Sequence, residues 1–261
     1  MVDFLELALL GSFAGFTIFL GLPVVLMGIS DRVRGFLNAF AVGILMFLIV
    51  DVFGHAWDQT TAAAVSASQG TGSTGSALAD LALMFGGITV GLLGLVIYER
   101  SYMGKGEGAV EPTKISTMTA LGIGAHNLSE GLAIGQSFAF GAVGLGTVLV
   151  IGFAAHNTTE GFGITAPLVG LEPRPKVSFL AKVLFIGGVP TLIGTLLGSV
   201  AYSPQAYIFF LALAGGALVY VTMLMFNTGR RRYSSSLMMG GIFLGLCLGF
   251  LTDLIVTLGG A

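Results

Sequence analysis

Two copies of one short pattern, His-Asn-x-x-Glu-Gly, carry the residues of this chain that are best suited to metal chemistry. On an α-helix, residues four apart lie on one face, and residues three apart share much of it. Each histidine therefore points the same way as the glutamate of its own copy, with the asparagine close beside them. The candidate metal ligands are His126, Asn127, Glu130, His156, Asn157 and Glu160. Two imidazoles and two carboxylates suit a borderline divalent cation such as Zn²⁺.

The composition places these motifs in a membrane protein. Of the 261 residues, 55% are hydrophobic and only 9% are charged, whereas soluble globular proteins have about 25% charged residues. The predicted fold class is therefore an all-α integral membrane protein. The single cysteine, Cys247, excludes an internal disulfide and a cysteine-built metal site. No basic patch with interleaved aromatic residues indicates nucleic acid as a partner.

Hydropathy predicts eight transmembrane helices in a single domain that covers residues 1–261. The predicted spans are 4–29, 35–57, 77–99, 116–139, 142–169, 180–201, 205–227 and 236–258. All 11 lysines and arginines fall in or beside the four odd-numbered loops. By the positive-inside rule these loops are cytoplasmic and both termini lie outside, in a multi-pass protein of the cell membrane.

Irregular positions are also predicted. Pro23, Pro167 and Pro190 fall inside spans and are expected to bend them. The stretch at 58–76, rich in glycine, serine, threonine and alanine, is predicted to be a flexible external loop, and 100–115 an internal linker.

The two motifs are predicted to meet at one depth. They lie in the fourth and fifth spans, which a short external hairpin joins. Each histidine is about 14 residues from that hairpin, or about 21 Å along a helix. Ionisable groups at such depth cost roughly 2.5–3.5 kcal/mol each. A passive hydrogen-bonded seam between the helices is therefore the weaker interpretation.

Four further polar residues are predicted near the outer ends of the second and eighth spans: Asp51, His55, Asp58 and Asp253. Together they could form an acidic entrance that concentrates cations, and Asp51 with His55 could relay protons. The alternative is a local helix-end pair with solvated rim charges.

The spans, the external termini and the paired motifs resemble the ZIP (Zrt/Irt-like) family of divalent metal transporters, particularly its prokaryotic branch. The resemblance implies a 3+2+3 arrangement, in which spans 1–3 and 6–8 form an inverted pseudo-repeat around spans 4 and 5, and frequently a homodimer. It also implies a binuclear centre. One metal would use His126, Glu130 and Glu160, with His156 nearby; a second would use Asn127, Glu130, Asn157 and Glu160.

The chain departs from the family pattern in three respects. Ser129 and Thr159 stand where family motifs often have proline, and their hydroxyls are expected to bond to a backbone carbonyl one turn back. Many relatives have a glutamate before a proline in the sixth span, where this chain has Val189, and some have aspartate in place of Asn157. The second metal site has thus lost charge, and we expect it to be weak or absent.

The predicted function is transport of Zn²⁺, or of Fe²⁺, Mn²⁺ or Cd²⁺, into the cytoplasm by alternating access, with the metal as substrate and no organic cofactor. A membrane-embedded metal-dependent enzyme, such as a hydrolase or oxidase, is the alternative. It would need a fixed metal with an open coordination position and a substrate pocket. Three histidines are a thin ligand supply for it, and no separate nucleophile or acid/base pair is evident. A non-metal channel or scaffold would leave four buried ionisable groups unexplained.

Overall fold

The computed structural model describes residues 3–27, 30–102, 111–200 and 203–258, and all regular secondary structure in these ranges is helical. The elements are α1 (Phe4–Phe16), a first 3-10 helix (Thr17–Gly21), α2 (Leu22–Leu26), α3 (Asp31–Ser68), α4 (Thr74–Tyr102), α5 (Pro112–Ala139), α6 (Val143–Thr165), a second 3-10 helix (Ala166–Leu168), α7 (Val177–Val200), α8 (Pro204–Arg232) and α9 (Ser235–Leu258). Within these ranges, six helical segments are long and apolar enough to cross a membrane: the continuous run Phe4–Leu26, α3, α4, α7, α8 and α9. The other two long helices, α5 and α6, carry the two motifs.

The predicted prolines occupy three different settings. Pro23 lies in the first turn of α2, directly after the first 3-10 helix, a position where proline is common. Pro167 lies within the second 3-10 helix. Pro190 stays inside α7, which continues through it. The irregular backbone therefore accompanies Pro23 and Pro167.

The predicted flexible loop at 58–76 is wrong for most of its length. Helix α3 continues to Ser68 and α4 begins at Thr74, so only a short turn at 69–73 separates them. Alanine is the strongest helix former, and the hydroxyls of Thr60 and Ser66 donate to the carbonyls four residues back. These side chains therefore satisfy their polar groups without leaving the helix. Gly70, with φ of 73°, makes the turn. The predicted linker at 100–115 falls largely at 103–110, outside the described residues.

One set of helices packs tightly around α5 and α6. A Cβ added to Gly131 of α5 would overlap the backbone carbonyl of Thr191 in α7, and one added to Gly161 of α6 would overlap that of Ile18 in the first 3-10 helix. The backbones therefore touch directly. We call α1, α2, α5, α6, α7 and the two 3-10 helices the motif group.

The remaining helices pack on one another in the same manner. Gly91 of α4 lies against the carbonyl of Leu213 in α8, and Gly43 of α3 lies against that of Ile242 in α9, each without room for a Cβ. We call α3, α4, α8 and α9 the frame group. Glycine is what permits these close approaches, since any side chain would hold the helices apart.

Contacts between the two groups run through side chains instead. An ideal Cβ on Gly122 of α5 would lie 3.4 Å from Cβ of Ala217 in α8, and one on Gly163 of α6 would lie 3.6 Å from the side chain of Leu45 in α3. Both are ordinary van der Waals separations. The fold thus consists of two tightly packed groups that meet at a looser interface.

Candidate metal centre

Helices α5 and α6 are joined by a tight turn at 140–142, with Gly141 at φ of 74°. The two helices therefore run antiparallel, and their motifs face each other. All six predicted ligands are buried, and Asn127, Asn157 and Glu160 have no exposed surface. The structure thus brings all six candidate ligands into the protein interior.

The four ionisable side chains of the motifs converge on one small volume. Nε2 of His126 lies 3.3 Å from Oε1 of Glu130 and 3.8 Å from Oε1 of Glu160. Nε2 of His156 lies 3.8 Å from the same oxygen of Glu160. One ligand atom from each of His126, Glu130 and His156 lies within 4.8 Å of the others. Ligands about 2.0–2.2 Å from a zinc ion are separated by distances of this order.

These side chains also lack the hydrogen bonds that buried polar groups normally make. Within the described residues, six of their atoms have no hydrogen-bond partner: both ring nitrogens of His126, Nε2 of His156, Oε2 of Glu130 and both carboxylate oxygens of Glu160. Unpaired buried polar atoms are costly. A bound divalent cation would satisfy several of them at once and would offset the charge of two carboxylates. The donor set therefore fits a dication.

Both asparagines of the motifs are anchored to backbone. Nδ2 of Asn127 donates to the carbonyl of Gly187 in α7 at 3.0 Å, and Nδ2 of Asn157 donates to the carbonyl of Ala14 in α1 at 2.9 Å. The Oδ1 atoms have no hydrogen-bond partner among the described residues. Each amide is thus oriented with its nitrogen on a neighbouring helix, and its oxygen remains available as a neutral ligand.

The expected bonds of the two hydroxyls form at one position only. Thr159 donates to the carbonyl of His156 at 2.7 Å, as expected. Ser129 makes no such bond: its buried Oγ has no partner among the described residues.

Val189, the residue of α7 that stands where many relatives have a glutamate, is half-buried. The nearby Thr191 of α7 is fully buried, and its hydroxyl has no hydrogen-bond partner within the described part of the chain.

A cavity of about 130 Å³ extends from the centre between the motif and frame groups. His126, Glu130 and His156 line it from the motif group, and three of the four predicted entrance residues, Asp51, His55 and Asp253, line it from the frame group. We call this the outer cavity, because it lies on the side of the motifs away from the basic loops. The predicted entrance therefore adjoins the predicted centre.

The fourth predicted entrance residue does not join this cavity. Asp58 is exposed and lies within α3 rather than at its end, because the helix continues for another ten residues. The Asp51–His55 pair does form, with Oδ1 of Asp51 3.3 Å from Nδ1 of His55. The same ring nitrogen also lies 3.0 Å from the carbonyl of Asp51.

On the opposite side of the motifs, toward the basic loops, apolar side chains fill the interior. Ile18, Ile123 and Ile164 are fully buried there. An ideal Cβ on Gly187 would lie 2.7 Å from the side-chain tips of both Ile18 and Ile164. The structure therefore gives the centre an approach from one side and an apolar seal on the other.

Some residues near the centre were not predicted from the sequence. The ring of Phe47 packs edge-on against His156 with centroids 5.9 Å apart. Phe153 and Tyr207 line the outer cavity. Phe47 lies one turn before Asp51 on the same face of α3, and this spacing could have indicated it. The position of Tyr207 depends on how α8 packs, for which the sequence carries no comparable signal.

The sequence profile of the family described as ZIP zinc transporter matches residues 97–257, which is more than half of the chain and includes both motifs. No curated protein matches the chain.

Proposed function

Because the chain belongs to the ZIP zinc transporter family, we propose that it carries zinc across the cell membrane into the cytoplasm. The family assignment and the apolar helices make it a multi-pass membrane protein that transports divalent metal. The identity of the metal, the direction and the mechanism are the proposal.

One observation carries the proposal most directly. Two imidazoles and two carboxylates, buried in the protein interior, converge within ion-binding distance, and six of their eight ring nitrogens and carboxylate oxygens make no hydrogen bond to the described residues. Their cost in isolation is explained if a dication binds between them. We assign His126, Glu130, His156 and Glu160 as the principal ligands, with zinc favoured over iron, manganese or cadmium because of its preference for nitrogen and oxygen ligands in such sets.

A second metal would depend on the amide oxygens of Asn127 and Asn157. These oxygens are neutral, and the carboxylate that many relatives supply from the sixth span is replaced by Val189. Two carboxylates balance the charge of one dication only. We therefore propose one tightly held metal and a second site that is weak or absent.

Transport would proceed by alternating access between the two helix groups. The outer cavity reaches the ligands from the acidic side, while Ile18, Ile123 and Ile164 close the other side. A shift of the motif group against the frame group would close the outer side of the metal centre and open the other side. The two groups meet through side chains, so this interface hinders such a shift least. The basic loops supply the orientation, with both termini outside.

The packing supports the inverted pseudo-repeat of the 3+2+3 arrangement, with eight spans in one domain. Asn127 of α5 bonds to the seventh helix, α7, while Asn157 of α6 bonds to α1. The pseudo-repeat that relates α5 to α6 and α7 to α1 would also relate the packed pair α4 and α8 to the packed pair α9 and α3. Both of these pairs pack through glycine. A homodimer remains a prediction from the family resemblance, which chemical cross-linking in native membranes would test.

Family membership favours transport over the metal-dependent enzyme, because members of this family are transporters. It likewise disfavours a channel or scaffold that handles no metal.

The test is zinc uptake into liposomes that contain the purified protein. We expect His126→Ala and Glu130→Gln to reduce uptake at least tenfold. Thr119→Val is the matched control, since Thr119 is also fully buried on α5 but bonds within its own helix to Ile115. Uptake that is unchanged in both ligand variants would contradict the proposal, and two equally tight zinc ions per chain by calorimetry would contradict the single-site assignment.

A further inference from the structure

A second cavity lies at the end of the molecule that carries the basic loops, again between the two helix groups. It has a volume of about 80 Å³. Arg34, Asn38 and Arg232 line it from the frame group, while Pro112, Ile115 and Pro167 are among the residues that line it from the motif group. We call it the inner-mouth cavity. It shares no lining residue with the outer cavity.

Two hydrogen-bond donors on this cavity lack an acceptor. Nε of Arg34 and Nδ2 of Asn38 are buried atoms with no partner among the described residues. Both can only donate, and both belong to side chains that line the cavity. Buried donors are rarely left unpaired. Two of them at one small cavity therefore point to an acceptor that occupies it.

The lining of the cavity on the motif-group side offers little to these donors. Its side chains there, including Pro112, Ile115 and Pro167, are apolar. Gly170, at φ of 67°, lies directly against the guanidinium of Arg34 and has no side chain to contribute. The hydroxyls of Thr228 and Tyr233 also line the cavity, but neither accepts a hydrogen bond from these two donors. The missing acceptor would therefore come from a separate molecule.

The charge of the surrounding groups indicates what that molecule carries. Nη1 of Arg34 lies 3.2 Å from Oδ1 of Asp31, and Nη2 of Arg232 lies 3.5 Å from the same oxygen. Two guanidinium groups thus share one carboxylate, which leaves one positive charge uncompensated within this set. A single negative charge would balance it. The Nε edge of an arginine suits planar oxyanions, which can accept two parallel hydrogen bonds.

We propose that the inner-mouth cavity binds a small planar oxyanion with one negative charge, such as a short carboxylate, between Arg34, Asn38 and Arg232. The cavity of about 80 Å³ has the volume of about two or three waters, which is enough for an ion of three or four heavy atoms. A larger carboxylate such as gluconate does not fit.

The position of the cavity also predicts that the bound anion affects metal transport, an inference that rests on the proposed function. Because the lining comes from both helix groups, an ion bound there would stabilise the arrangement in which the groups meet at this end. That arrangement has the metal centre open to the outer cavity. The anion would therefore slow metal transport when it is present on the side of the basic loops.

Binding is tested by thermal unfolding of the purified protein, with sodium acetate or sodium nitrate replacing sodium gluconate at constant total salt. We expect a saturable rise in Tm of about 3 °C or more. Asn38→Leu and Arg34→Gln should abolish this rise. Arg231→Gln is the matched control, because Arg231 is an exposed arginine beside Arg232 at the end of α8 and does not line the cavity. It should keep the rise.

Gly170→Ala provides a variant that keeps both donor side chains in the sequence but displaces one of them. Its Cβ would enter the space of the Arg34 guanidinium, so the anion effect on Tm should fall by at least half. A lipid phosphate could supply similar chemistry; repeating the titration with added phosphatidylglycerol separates the two sources. A response to the lipid but not to acetate or nitrate would overturn the proposal. So would no response of the wild type, or a response that persists in both Asn38→Leu and Arg34→Gln.

The effect on transport is measured separately, in liposomes loaded with acetate or gluconate. Slower zinc uptake with acetate in wild type, but not in Asn38→Leu, supports the second effect. Equal rates would remove that effect while leaving the binding result intact. Loss of uptake in all conditions would count against the proposed function instead.

Discussion

The motif group and the frame group divide the work of the molecule differently. Every proposed metal ligand belongs to the motif group, on α5 and α6. The frame group supplies Asp51, His55 and Asp253 to the outer cavity, and Arg34 and Asn38 to the inner-mouth cavity. Holding the ion is thus a property of one group, whereas access to it from either side is a property of the boundary between the groups.

The packing of each group matches this division. Inside each group, glycines bring backbones into direct contact, so that sliding one helix along another would force atoms together. Between the groups, side chains meet at ordinary distances. A centre that must keep its geometry while its surroundings change is best placed in a tightly packed unit with a looser boundary.

The largest effect is expected when the packing inside the motif group is broken. Gly131→Ala would place a methyl group on the carbonyl of Thr191, and overpacking of this kind costs on the order of 1–3 kcal/mol or more. We expect a lower yield of folded protein and a clearly lower Tm. Gly94→Ala in α4 is the control, because nothing lies within 4 Å of its added Cβ. Equal stability of the two variants would show that the close packing is not required.

A covalent bond across the boundary should stop transport without unfolding the protein. The ideal Cβ of Gly122 lies 3.4 Å from Cβ of Ala217, which is close to the separation in disulfides. In a Cys247→Ser background, we expect oxidised Gly122→Cys/Ala217→Cys protein to lose at least tenfold in zinc uptake, and a reductant to restore it.

The control for that experiment is a disulfide that stays within the frame group. Ser66 lies in the last turn of α3, and Gly72 lies in the turn that follows it. An ideal Cβ on Gly72 would lie 3.0 Å from Cβ of Ser66. The Ser66→Cys/Gly72→Cys pair should leave uptake unchanged when oxidised. If the cross-group disulfide is equally harmless, the two groups do not move against each other during transport.

A smaller effect is expected when an asparagine loses its anchor. Asn157→Asp removes the donor to the carbonyl of Ala14 and sets two oxygens against each other, at a cost of about 1–3 kcal/mol. We expect a lower Tm in metal-free protein and zinc affinity that does not improve despite the added charge. Calorimetry that shows a second tight zinc ion in this variant would contradict the role assigned to the anchor.

The smallest effect is expected for the residues that only face the outer cavity. Asp51→Asn and Asp253→Asn should raise the KM for zinc a few-fold at low salt, with little change in kcat, because local negative charge raises the concentration of cations. High salt should reduce the difference. Asp58→Asn is the control, since Asp58 does not line the cavity. An equal change in KM for Asp58→Asn would show that the effect comes from net surface charge and not from the cavity.

The sequence was most informative where polar residues interrupted apolar helices. His126, Glu130, His156 and Glu160 could be grouped in advance, because helical spacing and the cost of buried charge restrict what such residues can do. Asp51, His55 and Asp253 were singled out as candidates for the same reason. Asp58 was misplaced because α3 was expected to end there, and the helix propensity of the alanine-rich stretch that follows was underestimated.

Other features depend on packing that the sequence does not specify locally. The bonds from Asn127 to Gly187 and from Asn157 to Ala14 link residues far apart in the chain. The guanidinium of Arg34 lies where a side chain on Gly170 would be. This contact requires the segment after α6 to fold back onto α3. No periodic pattern marks these contacts, since each depends on where whole helices lie.

The length of α3 has a practical consequence. Its 38 residues span about 57 Å, nearly twice the roughly 30 Å thickness of the hydrocarbon core. With the proposed orientation, its last turns and the first turns of α4 would stand in water on the outer face of the cell. An epitope or fluorophore placed in the turn at Gly70 would then be reachable on intact cells, far from the ion path, and would report directly which way the protein is inserted.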